Sequence, residues 1–239
     1  MYGRKGRSDL LSMRKVILAP SLLGADPLNL SGSIESMKGN YDWLHLDIMD
    51  GHFVRNLSFG PEFARALRKK YPDAFIDAHL MTDIPGNIMP SFIEAGASLI
   101  TIHAEAEAHL LHANLSSIRN AGVKAGISLC PPTSIASIEG MLGLADLVLV
   151  MSVTPGFGGQ KFIDGSLEKV RELASIREAR KYNYVIEIDG GINENNIIPA
   201  VLAGCDVIVA GSSVFRSENP GEWLAMVRKK IKEALKDFD

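Results

Sequence analysis

Cysteine is nearly absent from this 239-residue chain: Cys130 and Cys205 are its only two. Neither lies in a C-x-x-C pair, and two thiols are too few for a disulfide scaffold or a thiolate zinc site. The expected setting is therefore reducing, the cytoplasm, with both thiols serving as small buried residues. An excess of one charge is also missing. Lys and Arg number 25 against 28 Asp and Glu, a formal net charge of −3. That balance lacks the electrostatic footprint of a nucleic-acid or anionic-membrane binder. No apolar run reaches the ~18 residues that suggest a membrane span, and no secretory hydrophobic region opens the chain. Residues 1–12 carry Arg4, Lys5 and Arg7 without an apolar pattern and read as a flexible tail, a very short transit peptide being the alternative. Hydrophobic residues make up 46% and charged residues 22%, ordinary globular usage that excludes a disordered chain.

What is present is a repeated alternation of strand-like and helix-like segments over residues 13–239. Apolar, β-rich runs begin near Val16, Trp43, Phe75, Ser98, Val123, Asp146, Tyr184 and Asp206. Helical stretches lie between them. Pro61 and Pro85 suit first helical positions, where a missing N–H costs nothing. Asn193 suits a helix cap after the seventh run. Asn219-Pro220 opens a last helix with Trp223, Val227, Ile231 and Leu235 at four-residue steps. Eight such units without a linker predict one domain, an α/β fold of the (β/α)8 TIM-barrel type. A doubly wound open sheet is the competitor, but no G-x-G-x-x-G follows the first strand, which reads Ala19-Pro20-Ser21-Leu22-Leu23.

In such a barrel chemistry sits at the carboxyl ends of the strands. The period of two then sorts side chains into inward and outward sets. His45 and Asp47 share one face of strand two, with Leu44, Leu46 and Ile48 on the other. Asp77, His79 and Met81 share a face of strand three, and Glu187 and Asp189 a face of strand seven. His45, Asp47, His79 and Asp189 thus converge at the barrel top. Two imidazoles and two carboxylates suit one divalent cation: Zn²⁺, Fe²⁺, Mn²⁺ or Co²⁺, with zinc favoured. Interior carboxylates without a cation would be costly, since buried charge needs pairing. Asp50 is out of phase and reads as shaping the turn at Gly51. Asp77 and Glu187 lie deeper and read as supporting groups. His103 reads as an interior histidine.

Glycine carries the second signal. Pro155-Gly156-Phe157-Gly158-Gly159-Gln160, Asp189-Gly190-Gly191 and Ala210-Gly211-Ser212-Ser213 follow three neighbouring strands. Such turns let backbone N–H groups approach an oxyanion, and a helix start after strand eight adds a favourable dipole. This predicts a phosphate cradle built from main-chain donors. No arginine is placed to clamp the anion, and Lys161 reads as solvated. Met49, Met81 and Met151, each near a strand end, suggest an apolar collar that excludes water from the mouth.

A cation beside a phosphate cradle points to a small sugar phosphate as substrate. Asp47 and Asp189, on strands two and seven, can approach a carbon from opposite sides. One removes a proton beside the carbonyl and the other returns it, through an enediolate that the cation stabilises. That is epimerisation, and it needs no nucleotide, organic cofactor or Schiff-base lysine.

The stretches "LAPSLL" (18–23), "HLDIMDGHFV" (45–54), "AHLM" (78–81), "VMSVTPGFGGQKF" (150–162), "EIDGG" (187–191) and "VAGSSVF" (209–215) together resemble the ribulose-phosphate 3-epimerase family of the pentose phosphate pathway. The resemblance implies a divalent metal on His45, Asp47, His79 and Asp189, with Asp47 and Asp189 as the catalytic pair. It further implies substrate contacts from Ser21 and His79, and phosphate contacts from Gly156, Phe157, Gly158, Gly159, Gly190, Gly191, Gly211 and Ser212. A homo-oligomer is also implied. Three positions depart from the family pattern. Arg55 replaces the proline of H-F-V-P-N, Cys130 the asparagine of N-P, and Cys205 a common alanine. Arg55 leaves open a longer ketose phosphate such as allulose 6-phosphate. A related decarboxylase would carry D-x-K-x-x-D at strand three, where this chain has Asp77-Ala78-His79. A non-catalytic sugar-phosphate binder, and an isomerase or aldolase, are the remaining alternatives.

Overall fold

Eight strands form, each beginning within one residue of the start read from the sequence: β1 (Ile17–Pro20), β2 (Trp43–Met49), β3 (Phe75–Met81), β4 (Leu99–His103), β5 (Lys124–Leu129), β6 (Leu147–Met151), β7 (Val185–Asp189) and β8 (Val207–Ala210). They belong to a computed structural model that describes residues 15–236, so the tail expected over residues 1–12 lies outside the described residues. All pairings are parallel, in the order β1-β8-β7-β6-β5-β4-β3-β2. The seam between β1 and β2 closes through the Asp42 N–H, which donates to the Leu18 carbonyl at 2.9 Å, and a parallel bridge between Ser21 and His45. This is a single (β/α)8 barrel.

The outer layer consists of α1 (Leu30–Ser36), α2 (Pro61–Lys70), α3 (Pro85–Glu94), α4 (Leu111–Asn120), α5 (Ser166–Arg180), α6 (Ile197–Ala203), α7 (Ser212–Phe215) and α8 (Pro220–Lys236). Pro61 and Pro85 open α2 and α3 as expected. Asn219 caps α8 by accepting from the Glu222 N–H. The buried stripe of α8 is Leu224, Val227, Ile231 and Leu235; Trp223 sits half-buried beside it, so Leu224 takes the place read for Trp223. Asn193 closes a local turn by accepting from the Asn195 N–H, and α6 starts at Ile197, three residues later than that cap would place it. Between β5 and β6 the crossover is a 3₁₀ segment, Ile135–Met141, that buries Ile135 and Ile138. Residues three apart eclipse on such a turn, which is why two isoleucines suffice to anchor it.

The alternation of each strand separates two cores. Leu44, Leu46, Ile48, Ile76, Ala78, Leu80, Ile100, Ile102, Ile127 and Val148 face the helices in one large cluster. Ala19, Leu99, Leu147, Leu149, Val207 and Val209 fill the barrel interior. Trp43 and Phe75 stack at 4.2 Å at the amino end of β2 and β3. These interior apolar residues share their layers with polar ones: Asp77 pairs with Leu99, Glu187 with Leu149 and Val207, and Asp189 with Val209.

Candidate active site

Parallel register brings the strand-end groups together. Asp47 pairs with His79, and His45 with Asp77, across β2 and β3. His45 Nε2 lies 3.5 Å and His79 Nδ1 3.4 Å from Asp47 Oδ1. Ser21 follows β1 and reaches the same carboxylate: its Oγ donates to Asp47 Oδ2 at 2.6 Å. The other face of the His45 ring is fixed by Asp77, whose Oδ2 is 2.6 Å from Nδ1, with Glu187 Oε1 behind it at 3.7 Å. Asp50 shapes the loop after β2 by accepting from the N–H groups of His52, Phe53 and Asp83.

The electrostatics are uneven. Burial lowers the His45 pKa, but Asp77 and Asp47 outweigh it and raise it well above the ordinary imidazole value. Burial raises Asp47, yet the charge of His45 reverses that and holds it well below the usual carboxylate range. Burial pushes His79 down to about 4. Burial, reinforced by the charge of Asp47, pushes Asp189 up to about 7. Burial and Asp77 raise Glu187 well above a normal glutamate.

The donor set fits a divalent cation. His45, Asp47, His79 and Asp189 each offer a ligand atom, and these atoms lie within 4.8 Å of one another. His45 Nε2 is buried and has no hydrogen-bond partner among the described residues, an arrangement that is costly unless something occupies the space it faces. Two imidazoles and two carboxylates are also the mixed donor set that borderline cations take.

Above this quartet a cavity of about 330 Å³ opens at the carboxyl end of the barrel, at the small end of the range for ligand sites. Ser21, Asp47 and Asp189 line it, as do Met49, Met81 and Met151. Met49 and Met81 pack with Val54, while Met151 packs into the barrel interior, so the three thioethers form two groups around the opening. All eight residues expected near phosphate, Gly156 to Gly159, Gly190, Gly191, Gly211 and Ser212, lie on the cavity wall. Gly191 has φ +63°, and a Cβ there would stand 2.6 Å from the Phe162 backbone nitrogen, so only glycine fits. Gly158, in contrast, faces open space.

His79 is fully buried, and Met81, two residues on, lines the cavity; the His79 ring meets Asp47 through Nδ1. One expectation needs correction. The cradle does contain an arginine: Arg216 lines the cavity, and a Cβ built on Gly159 would lie 3.7 Å from its guanidinium. Its position four residues after Ser212, one helical turn along α7, was the available signal. His103 is an interior histidine as expected, fully buried, and its Nε2 lies 2.9 Å from His79 Nε2. Arg55 is exposed and absent from the cavity wall, as is Lys161. Asn56, beside Arg55, ties this loop to the Gly156 carbonyl at 2.8 Å.

The chain matches the model of the ribulose-phosphate 3 epimerase family over residues 17–215. It is 46% identical over 204 residues to a ribulose-phosphate 3-epimerase of Aquifex aeolicus, covering 85% of this chain and 91% of that protein. A ribulose-phosphate 3-epimerase of Treponema pallidum is 46% identical over 203 residues, covering 84% and 92%. The chloroplastic ribulose-5-phosphate-3-epimerase of Arabidopsis thaliana is 37% identical over 230 residues, covering 95% and 82%. Among solved structures, KGPDC from Streptococcus mutans superposes with a TM-score of 0.71 at 16% identity, covering 92% of this chain and 99% of that one. The 3-hexulose-6-phosphate synthase of Salmonella typhimurium gives 0.66 at 18%, covering 93% and 100%. At such identities these two show the shared barrel alone.

Proposed function

The chain belongs to the ribulose-phosphate 3-epimerase family, and from that premise we propose that it inverts C3 of D-ribulose 5-phosphate to give D-xylulose 5-phosphate, with Asp47 and Asp189 as the two proton-transfer groups. The reading rests on one observation. Two carboxylates reach one cavity from strands on different sides of the barrel, and their surroundings push their pKa values in opposite directions. Groups separated in this way are the acid and base of a proton-transfer pair.

His45 keeps Asp47 ionised and able to take a proton, and the Ser21 hydroxyl orients its second oxygen. Asp189, lifted toward neutrality by burial and by the charge of Asp47, can return a proton to the opposite face of the carbon. In the reverse reaction the two exchange roles. His45, Asp47, His79 and Asp189 would hold one divalent cation, zinc by preference, which when bound polarises the substrate ketone and stabilises the charge left by deprotonation. The N–H groups of the Gly156–Gly159, Gly190–Gly191 and Gly211–Ser212 turns, with the Arg216 guanidinium, would seat the phosphate. Met49, Met81 and Met151 would keep water from the reacting carbon. The proposal sets the reaction in the cytoplasm and takes the working form as a homo-oligomer, as the resemblance implies.

The deciding experiment follows solvent deuterium into C3 of ribulose 5-phosphate on protein of quantified metal content, alongside coupled assays with ribulose and allulose phosphates. Exchange at C3 together with formation of xylulose 5-phosphate is expected. Binding without exchange would overturn the catalytic reading and leave a sugar-phosphate binder; faster turnover of the allulose compound would overturn the substrate.

A further inference from the structure

Behind His79 runs a chain of contacts that the proposed reaction does not use. His79 Nε2 lies 2.9 Å from His103 Nε2. His103 Nδ1 lies 3.1 Å from Glu105 Oε2. The remaining oxygen, Glu105 Oε1, accepts from the Cys130 N–H at 2.8 Å and from the Thr133 hydroxyl. Both rings are fully buried. His103, Glu105 and Cys130 also bring three potential ligand atoms within 4.8 Å. They do not read as a second ion site. Both Glu105 oxygens are engaged, and burial with the charge of Glu105 pushes the Cys130 thiol up to about 12, far from the thiolate a metal takes.

We propose that Glu105 and His103 are positioning residues that fix the tautomer of His79, so that its Nδ1 lone pair faces the metal site. The proposal rests on the metal reading of the His45, Asp47, His79 and Asp189 quartet. Two nitrogens 2.9 Å apart share one proton, so one ring donates and the other accepts. Glu105 decides which. Three donors hold it ionised, with a pKa of about 2 despite its burial, so it can only accept. His103 must then carry a proton on Nδ1, and in its neutral form this leaves Nε2 as an acceptor. His79 must donate through Nε2, which leaves Nδ1 bare toward Asp47. The opposite polarity would set the bare Nδ1 of His103 against a carboxylate at 3.1 Å. Its return is a 3.4 Å contact from His79 Nδ1 to Asp47, whose other oxygen Ser21 already occupies, and a 3.5 Å contact from the Cys130 thiol, a weak donor, to the bare His103 Nδ1. A carboxylate behind a ligating histidine is a general way to fix ring orientation; here a second imidazole carries the instruction one strand further.

The relay predicts an unusual order of variants. In Glu105→Gln the amide oxygen stays with the Cys130 N–H, which can only donate, and the amide NH₂ turns toward His103 Nδ1. That reverses both rings and places a proton on His79 Nδ1. Glu105→Ala removes the acceptor without adding a donor, so both polarities stay open. The first measurement is the ring-nitrogen NMR spectrum of the wild-type protein, stripped of metal and then titrated with Zn²⁺. Protons on His79 Nε2 and His103 Nδ1 in the stripped protein are expected; the reverse pattern, or a proton on both His103 nitrogens, overturns the relay. Zn²⁺ affinity by chelator competition should then fall about 10–100-fold in Glu105→Gln and by less in Glu105→Ala. Equal losses, or an unchanged affinity in Glu105→Gln, would also overturn it. Because the stripped protein reports the tautomers directly, the test holds even where a variant fails to fold. It also separates the two readings: Zn²⁺ that leaves the His79 signals unmoved in the wild type removes the metal site, whatever the polarity found.

Discussion

His45 Nδ1 and Asp77 Oδ2 stand 2.6 Å apart, register partners on β2 and β3, both sealed from solvent. The contact fixes the ring so that Nε2 points at Asp47. We expect Asp77→Asn, which keeps the shape and removes the charge, to lower divalent-metal affinity by about 10–100-fold while the barrel still folds. Chelator competition monitored with circular dichroism checks both parts, and an unchanged affinity would show that the ring is held by packing alone.

Asp189 is the group whose carboxyl the surroundings lift toward neutrality. Asp189→Asn should keep the fold and lose turnover by about 10²–10⁴-fold or more, the worth of a positioned acid or base compounded by a lost ligand. Single-turnover kinetics at saturating metal would read this; near-normal turnover would remove Asp189 from the mechanism.

Sequence periodicity was enough to find the barrel and its inward polar set, because alternation within a strand is a local property. Leu44, Leu46 and Ile48 could only face the helices, which turned His45 and Asp47 inward. What local pattern does not contain is register between strands. Whether His79 meets Thr101 or His103 depends on barrel shear, set only on closure, so the His79–His103 contact was invisible. Arg216 was missed for a related reason. Its reach toward the turn at Gly159 depends on how α7 sits over the loop after β6, and that packing is tertiary. The crossover after β5 is a 3₁₀ segment with Ile135 and Ile138 buried, a three-residue step that an α-helix would show equally and that local pattern therefore could not tell apart.

Gly158 offers a clean probe of the cradle, since a side chain there meets nothing within 4 Å and its backbone needs no positive φ. Gly158→Val should therefore fold normally and raise KM for the sugar phosphate, with kcat changed less. An unchanged KM would move the phosphate away from this loop.

Arg216 makes no ion pair among the described residues, so its charge is available to an incoming anion. Arg216→Gln is expected to raise KM and flatten its dependence on ionic strength, because a screened charge pair has been removed. Steady-state kinetics across a salt series checks this; identical salt slopes for variant and wild type would count against a role for the guanidinium.

Asp42 closes the barrel seam electrostatically. Its Oδ2 accepts from the Leu18 N–H at 3.0 Å and from Arg228 at 2.8 Å, and Lys15 approaches Oδ1 at 3.2 Å. Burial raises its pKa, but these donors outweigh burial and lower it below the ordinary value. The folded state thus holds the carboxylate more tightly than the unfolded chain does. The resulting stability is complete above the unfolded value near pH 4 and is lost as pH falls through the lower folded value. Asp42→Asn should cost about 1–3 kcal/mol at neutral pH, as for a lost charged hydrogen bond. The difference should shrink as pH drops from 4 toward 2. Urea melts of both proteins between pH 7 and pH 2 make the comparison; parallel curves across that range would mean that Asp42 contributes no pH-dependent stability at the seam.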